Sequence, residues 1–381
     1  MSADRIEAVL RNAAEPLDEF VMTMDELREI VKKPSPIVYI GFEPSGPIHA
    51  GILLTIEKLA EMTEAGFRSK ALMADLHGFL NGKGPLELLR EISETYWRAT
   101  FQTLGSPKIE IVLGSEFQLT PEYSLDLLVL SQRVTARRAW RAMSMIARDT
   151  ESPTVAQHIY PLMQALDIIY LDCDLAIGGT DQRRIHALAR ELFSSRLPLS
   201  HDFWVPVAVH LPLVPGLIKG GKMSSSIPRS HVAVHDPPEI IRKKVRAAFC
   251  PPGGESQYDE DGRLINPILA VFKYFILHRG PVTLPLSRAA GGGEVEVRSY
   301  EELEGLYSRG MIHPLDLKEK VADFLVERFR PARELFERDP TLLEPLYKLQ
   351  RWQREHGLMG EPEWREARKS LSPYLGERVD S

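Results

Sequence analysis

Cysteine is nearly missing from this chain: 381 residues carry two, Cys173 and Cys250. They sit too far apart for a zinc-ligand spacing and are too few for a disulfide framework. That excludes a stapled secreted scaffold and suggests a reducing compartment. Long apolar runs are missing as well. No stretch reaches the ~18 apolar residues of a membrane-spanning helix, so no membrane partner is expected. The opening residues, Met1 to Glu7, lack the apolar core of a signal peptide, and a cytoplasmic protein is expected. Positive charge is not in excess: 47 Lys and Arg against 53 Asp and Glu leave a formal charge of −6. A nucleic-acid partner must therefore be held by a local basic patch rather than by the overall field. Internal repeats, low-complexity tracts and clusters with structural-metal spacing are absent. What is present, 44% hydrophobic and 26% charged residues, is the composition of a globular protein. The chain is long enough for two domains of ordinary size.

The pattern along the chain alternates. Pro36–Phe42 is a short β-branched apolar run that reads as a buried parallel strand, and residues 52–66 follow as a helix. Further strands are expected at 69–75, 108–113, 175–177 and 204–209, with helices at about 85–104, through much of 121–171, and at 181–194. Strands that alternate with helices imply an α/β fold, a Rossmann-like parallel sheet with a helical insertion at about 115–170. After about residue 230 the pattern turns mostly α-helical, at 237–248, 265–278, 300–308 and 315–330. Residues 281–298 read as a loop or irregular hairpin, and charged helix returns at 341–370. The expected division is 1–228 for the sheet domain and 229–381 for the helical one.

Two separated segments carry phosphate chemistry. Tyr39-Ile-Gly41-Phe-Glu-Pro-Ser-Gly-Pro-Ile-His49-Ala-Gly51 leads a strand into a helix through glycines. Such a turn lets backbone approach a ligand and offers free N–H groups to anions. His49 adds a donor there; the alternative is a plain strand–turn–helix with a surface histidine. Gly220-Gly-Lys222-Met223-Ser224-Ser225-Ser226 joins one ammonium and three hydroxyls to a mobile glycine hinge. That combination suits neutralising a leaving pyrophosphate.

A third segment reads as a small-molecule pocket. In a helix, Tyr160, Gln164 and Asp167 fall at i, i+4 and i+7 and share one face. A stripe of phenol, amide and carboxylate is unlike core and suits a small zwitterion with a polar side chain, although a solvated Asp is the ordinary alternative. Gly178-Gly179-Thr-Asp181-Gln182-Arg183 sits at a strand end, where open α/β sheets bind ligands. Asp181 reads either as a ribose partner or as the N-cap of the following helix. Arg133, Arg137, Arg138, Arg141 and Arg148, with Trp140 among them, form a concentrated basic stripe. It fits either phosphate contact or a solvated helix face.

The segments at 39–51 and 220–226 resemble the HIGH and KMSKS signatures of class I aminoacyl-tRNA synthetases. The 160–171 and 178–186 blocks resemble the tyrosyl-tRNA synthetases of archaeal and eukaryotic type, over roughly residues 5–330. The resemblance implies activation of L-tyrosine with ATP and Mg²⁺ to tyrosyl-adenylate and pyrophosphate, then transfer to tRNA(Tyr). It implies a homodimer built through helical surfaces around 100–150. By the same resemblance Tyr160, Gln164 and Gln182 hold the amino-acid end of tyrosine, and Tyr39 and Asp167 bond its phenol. Gly41, His49, Gly51, Gly179, Asp181, Lys222, Met223, Ser224 and Ser225 serve ATP. Arg141 and Arg183 lie at the tRNA acceptor end, and Phe275, His313, Pro314 and Asp316 read the anticodon. One departure stands out: Ile52 occupies the position of the second motif histidine, which puts more of the stabilisation on His49, backbone N–H groups and Lys222. Rival readings are a tryptophanyl-tRNA synthetase, a nucleotidyltransferase, and a synthetase-like RNA-binding protein without catalysis. Tyr39 with Asp167, the 220–226 loop and the helical C-terminal half stand against the first two. Ile52 alone favours the third.

Overall fold

The computed structural model describes residues 2–146 and 151–376, so Arg148 of the basic stripe lies outside the described residues. The chain folds as two compact units, one of residues 1–45 and 55–213, the other of residues 46–54 and 214–381. This physical division differs from a boundary at 228/229. Residues 48–50 pair with 232–234, through Ala50 N to Val232 O at 3.0 Å and Val234 N to Ile48 O at 3.0 Å, and that pairing draws the segment into the second unit.

The first unit is built on five parallel strands, β1 (Ile37–Phe42), β2 (Arg68–Met73), β3 (Glu110–Leu113), β4 (Leu175–Gly179) and β5 (Val207–Leu211), in the order β3-β2-β1-β4-β5. β1 is central, and its apolar run matches a strand paired on both edges. Strand order reverses between β1 and β4, and the carboxyl ends of strands at such a reversal are where open sheets place ligands. β5 begins at Val207 rather than 204. Pro206 has no N–H for a ladder; its carbonyl accepts from Arg190 at 2.7 Å, and Trp204 Nε1 donates to Cys173 O at 3.1 Å. The outer edge of β5 is covered by the N-terminal segment. Ala208 N donates to Val21 O at 3.0 Å and Ala14 N donates to His210 O at 2.7 Å, which removes an exposed strand edge.

Among the described residues between β3 and β4 run four helices, Gly114–Gln118, Pro121–Ser131, Ala136–Met143 and Val155–Tyr170, where a helical insertion is expected. The last opens with a capping box, Thr154 and Gln157 satisfying each other's backbone N–H groups. The single helix expected at 85–104 is interrupted by a π turn at Ser93–Trp97.

In the second unit, Pro238–Ala247 packs against the long helix Pro314–Arg338. The helix expected over 315–330 runs on through Pro331 to Arg338. It continues because Phe329, Ala332, Arg333 and Phe336 are buried on one side. Residues 281–298 form a regular antiparallel pair, β6 (Val282–Pro285) with β7 (Glu294–Val297). Helices Glu344–Glu355 and Glu361–Leu375 follow.

Two buried cations fasten the N-terminal helix Ser2–Leu10. The Arg5 guanidinium donates to five backbone carbonyls, of Val31, Lys33, Pro34, Ala65 and Gly66. Lys58 Nζ donates to those of Ala8, Val9 and Arg11, at the carboxyl end of the helix. Removing Arg5 strands several buried acceptors at once. Arg5→Met is expected to lower stability by about 3 kcal/mol, read from the midpoint of denaturant unfolding at unchanged slope.

Candidate functional site

In the first unit the chemistry gathers around Asp167. Its carboxyl group is fully buried, and one oxygen, Oδ1, accepts from Gln118 Nε2 at 2.8 Å and from the Tyr123 hydroxyl at 2.8 Å. The other oxygen, Oδ2, faces His77 Nε2 at 3.5 Å without a well-formed hydrogen bond. Burial pushes the Asp167 carboxyl up to about 7; the Gln118 and Tyr123 donors oppose the rise, and the neighbouring Asp75 charge adds to it. Burial pulls His77 down to about 3, so it is a neutral imidazole and the pair carries no ion-pair attraction. Asp167 Oδ2, His77 Nε2, Asp75 Oδ2, Ser115 Oγ and Gln118 Oε1 are all buried without a hydrogen-bond partner. Buried polar groups are almost always paired, so hydrogen-bonding capacity is concentrated here.

The elements that position Asp167 are short and specific. Asp75 Oδ1 accepts the N–H of Ser115 at 2.9 Å and so anchors the first turn of Gly114–Gln118, which presents Gln118. A Cβ at Gly114 would stand 2.7 Å from Gln118 Oε1 and 3.1 Å from Asp75 Oδ1, so a larger residue there would push on the Gln118 amide that serves Asp167. Tyr39, on β1, is buried beside this set; burial and then the Asp167 charge raise its hydroxyl well above the ordinary value. Tyr160 packs edge-on against the His77 ring at 4.5 Å.

The remaining groups continue along the same helix. Gln164 Nε2 donates to Gln182 Oε1 at 3.1 Å, and Gln182 Nε2 reaches Asp181 Oδ1 at 3.4 Å. Thus Tyr39, Tyr160, Gln164, Asp167, Gln182 and Asp181 belong to one compact unit. Asp181 is no helix cap. It lies within a 3-10 turn, Thr180–Gln182, and the helix Arg183–Phe193 begins after it without a side-chain cap. Gly179 passes so close that a Cβ would stand 2.6 Å from Asp181 Oδ1 and 2.8 Å from Leu213 Cδ2. Gly41 is on β1 and exposed.

The second unit gathers His49, Gly51, Met223, Ser224 and Ser225. His49 is buried, and its Nδ1 accepts the N–H of Gly51 at 3.1 Å. That bond fixes the tautomer with the proton on Nε2. Burial, then His231, Lys222 and Lys244, hold His49 well below the ordinary histidine value. It is therefore a neutral Nε2–H donor at neutral pH. A Cβ at Gly51 would meet His49 Cε1 at 3.0 Å and Met223 Cβ at 3.2 Å, so this glycine lets the two segments touch. Ser225 Oγ donates to Pro47 O at 3.2 Å. Gly220 and Gly221 hold φ of +88° and +83°, a left-handed backbone that only glycine adopts cheaply, and Lys222 next to them is exposed.

Sequence reasoning missed His231, whose ring centre lies 5.0 Å from that of His49 and whose Nδ1 donates to Ser224 O at 2.8 Å. It missed Asp75, His77, Gln118 and Tyr123 as well. The run Asp75-Leu-His77 at a strand end was the signal available for two of them.

Of the basic stripe, Arg137, Arg138 and Arg141 lie on Ala136–Met143; Arg133 sits in the turn before it. Arg138 pairs with Glu191, and Arg141 is exposed. Arg183 pairs with Asp18 beside a cavity of about 690 Å³ lined in part by Phe20, Thr180 and His210. In the C-terminal half, His313 is an exposed N-cap whose Nδ1 accepts from Leu315 N at 3.2 Å, with Pro314 in the first turn and Asp316 half-buried behind it. Phe275 requires a correction. The expected helix over 265–278 contains a π turn, Phe272–Ile276, and Phe275 is fully buried with its ring 6.3 Å from that of Phe324. A core ring offers no face on which a base could stack. Among the described residues no group of three or more His, Cys, Asp or Glu is placed to hold a metal ion, and no helix is long and apolar enough to cross a membrane.

Known proteins resemble this chain closely. A family model described as tRNA synthetases class I (W and Y) matches residues 32–330. The tyrosine–tRNA ligase of Methanopyrus kandleri is 45% identical over 334 residues, 87% of this chain and 97% of that one. The crystal structure of tyrosyl-tRNA synthetase complexed with L-tyrosine from Archaeoglobus fulgidus matches with a TM-score of 0.76 at 42% identity, covering 88% of this chain and 99% of that one. Tryptophanyl-tRNA synthetase from Aeropyrum pernix matches with a TM-score of 0.64 at 23% identity, covering 85% of this chain and 84% of that one, which is likeness of fold alone. With the family match spanning most of its length and ligase relatives this similar, the chain belongs to the class I tRNA synthetases (W and Y), among the tyrosine–tRNA ligases.

Proposed function

We propose that the chain joins L-tyrosine to ATP, forming tyrosyl-adenylate and pyrophosphate, and transfers tyrosine to the 3′ end of tRNA(Tyr). The observation that carries the amino-acid choice is the half-paired Asp167 carboxylate at the end of the Tyr160–Gln164 face. Asp167 Oδ2 receives the substrate phenol proton, with Tyr39 beside it. Phenylalanine would leave these buried groups unpaired, and a site of this kind rejects an analogue lacking the hydroxyl by several orders of magnitude. Tyr160, Gln164 and Gln182 take the ammonium and carboxylate end. Gly41, Gly179 and Asp181 serve the nucleoside of ATP, Asp181 bonding the ribose.

No side chain need act as nucleophile. The tyrosine carboxylate forms the new bond to the α-phosphorus and the bond to the bridging oxygen breaks, releasing pyrophosphate. Catalysis is then positioning and charge stabilisation. Neutral His49 donates from Nε2 to a phosphate oxygen, Gly51 keeps that tautomer, and Lys222 with Ser224 and Ser225 neutralises the leaving group while Met223 anchors the loop. Mg²⁺ enters as part of the nucleotide substrate.

Residues 1–228 form the activating part and 229–381 the anticodon-facing part with its C-terminal extension. Arg141 and Arg183 meet the acceptor end of tRNA, and the His313-Pro314-Leu-Asp316 turn reads the anticodon. The protein acts in the cytoplasm as a homodimer. Leu119, Leu125 and Leu128 are each more than half exposed, an apolar surface within 100–150 of the kind a partner subunit covers.

A pyrophosphate-exchange assay over a panel of amino acids tests the central reading, which requires exchange with tyrosine. Asp167→Asn is expected to lose discrimination between tyrosine and phenylalanine by on the order of 10²-fold or more while ATP KM holds. In the native chain the free carboxyl, raised to about 7, is protonated below that value. The kcat/KM for tyrosine should therefore fall as pH drops through about 7, and that acid limb should vanish in Asp167→Asn.

Lys222→Ala is expected to slow adenylate formation by on the order of 10²-fold, the scale of one lost transition-state donor, with tyrosine affinity nearly unchanged. Stopped-flow or exchange kinetics beside equilibrium tyrosine binding would separate the two effects.

Asp316→Ala should leave pyrophosphate exchange intact and weaken aminoacylation by roughly 1–3 kcal/mol, the size of one base contact. A tRNA altered at the first anticodon base should be discriminated against less by this variant than by the native chain. Equal losses in exchange and aminoacylation would instead give Asp316 a structural role.

A further inference from the structure

The helix Glu361–Leu375 lies beyond residue 330, where the family match ends, and none of the steps above uses it. It docks on a segment that matters to the chemistry. The Ser370 hydroxyl donates to Asp236 Oδ1, and the Tyr374 hydroxyl donates to His235 O at 2.8 Å. Asp236 is fully buried; its other oxygen accepts from Ala233 N at 2.8 Å and from Lys244 Nζ at 2.7 Å. Burial opposes ionisation here, but Lys244, His235 and the Ser370 hydroxyl hold Asp236 below the ordinary carboxylate value, so it accepts from all three donors as a carboxylate.

Asp236 therefore ties the C-terminal helix to the stretch 230–234, and that stretch has two attachments. On one side, Val232 and Val234 make backbone bonds to Ala50 and Ile48, flanking His49, and His49 pairs with Ala233 as an isolated bridge. On the other side, Ser230 Oγ accepts Ser224 N at 3.0 Å and His231 Nδ1 donates to Ser224 O at 2.8 Å. The root of the Lys222 loop and the backbone around His49 thus hang on one strip of chain. The carboxylate that pins the strip is shared with the C-terminal helix.

We propose that the helix Glu361–Leu375 braces the root of the Lys222 loop, with Ser370 and Tyr374 as positioning residues that act through Asp236 and His235 on Ser224 and His49. The proposal rests on the reading of Lys222 as a transition-state donor. A loop with two left-handed glycines has little stiffness of its own, so its placement depends on where its root is held. Removing the Ser370 hydroxyl leaves Asp236 two of its three donors, so the fold survives while the strip loosens.

The test uses the full-length chain with Ser370→Ala, Tyr374→Phe and, as comparator, Lys222→Ala. Pyrophosphate exchange should show kcat reduced about threefold to tenfold in Ser370→Ala, less in Tyr374→Phe, with KM for tyrosine unchanged in both. Tryptic cleavage of the folded protein after Lys219 and Lys222, both exposed, should quicken in the same order, and this readout does not depend on activity. Unchanged exchange and unchanged cleavage would overturn the brace. So would a loss spread over tyrosine KM, melting temperature and cleavage throughout the chain, which is plain destabilisation. If Lys222→Ala itself leaves exchange intact, the loop's assigned role fails. If Lys222→Ala slows exchange and Ser370→Ala alters neither readout, the brace alone fails.

Discussion

A carboxylate with no exposure and one oxygen unpaired is the constraint around which the first unit is arranged. Asp167 draws its two donors from separate helices, Gln118 from Gly114–Gln118 and Tyr123 from Pro121–Ser131, while Asp75 and His77 come from a third. Tyr39 arrives from the central strand. Leaving a charge in such a place costs several kcal/mol unless hydrogen bonds offset it, and two donors on a single oxygen offset it in part. The carboxyl settles near 7 instead of near 4 as a result. On the proposed reading, the substrate phenol completes the set. Specificity follows from what the pocket lacks as much as from what it holds, because an analogue that cannot pair with Oδ2 meets the full desolvation penalty.

By the same proposed reading, the second unit solves a different problem. Phosphate oxygens are already strongly charged, so what is required is a donor that stays in place and in one protonation state. The Gly51 N–H on Nδ1 gives His49 a single tautomer, and burial with nearby cations keeps it neutral. The departure at Ile52 is less consequential in this light. A second histidine, His231, stands beside His49 from another part of the chain, and it serves the loop through Ser224 rather than completing the linear motif.

Much of this was legible in the sequence. The alternation of β-branched runs with helices points to the parallel sheet, and the i, i+4, i+7 stripe puts Tyr160, Gln164 and Asp167 on one face, with Tyr160 and Asp167 buried and Gln164 half-buried. Local patterns reveal which face of an element is polar, but not which distant element answers it. Gln118, Tyr123 and His77 therefore stayed hidden, each ordinary in its own neighbourhood. Phe275 departs for another reason: its assignment came from resemblance of a short motif, which carries no information on burial, and here the ring lies in the core within a π turn. The hairpin at 282–297 was blurred by its glycines, Gly291 to Gly293, all with positive φ, which belong to the connection and not to the strands.

On the proposed reading, recognition and phosphate chemistry each rest on their own compact unit, and the two are held by different means. The Asp167 set is fixed by packing: its members are side chains buried in a close core, where displacement of any one is resisted by all its neighbours. The His49 set is fixed by backbone pairing of two short segments, 48–50 and 232–234, that are remote in sequence. A glycine-rich loop then extends from this pairing. A dense core gives a static pocket that sorts one side chain from another by a missing hydroxyl. A pinned root with a pliable loop would let Lys222, in its proposed role, follow the phosphates as the bond breaks. Selection needs the first kind of support and turnover the second, and two glycines with left-handed backbone, Gly220 and Gly221, stand beside Lys222.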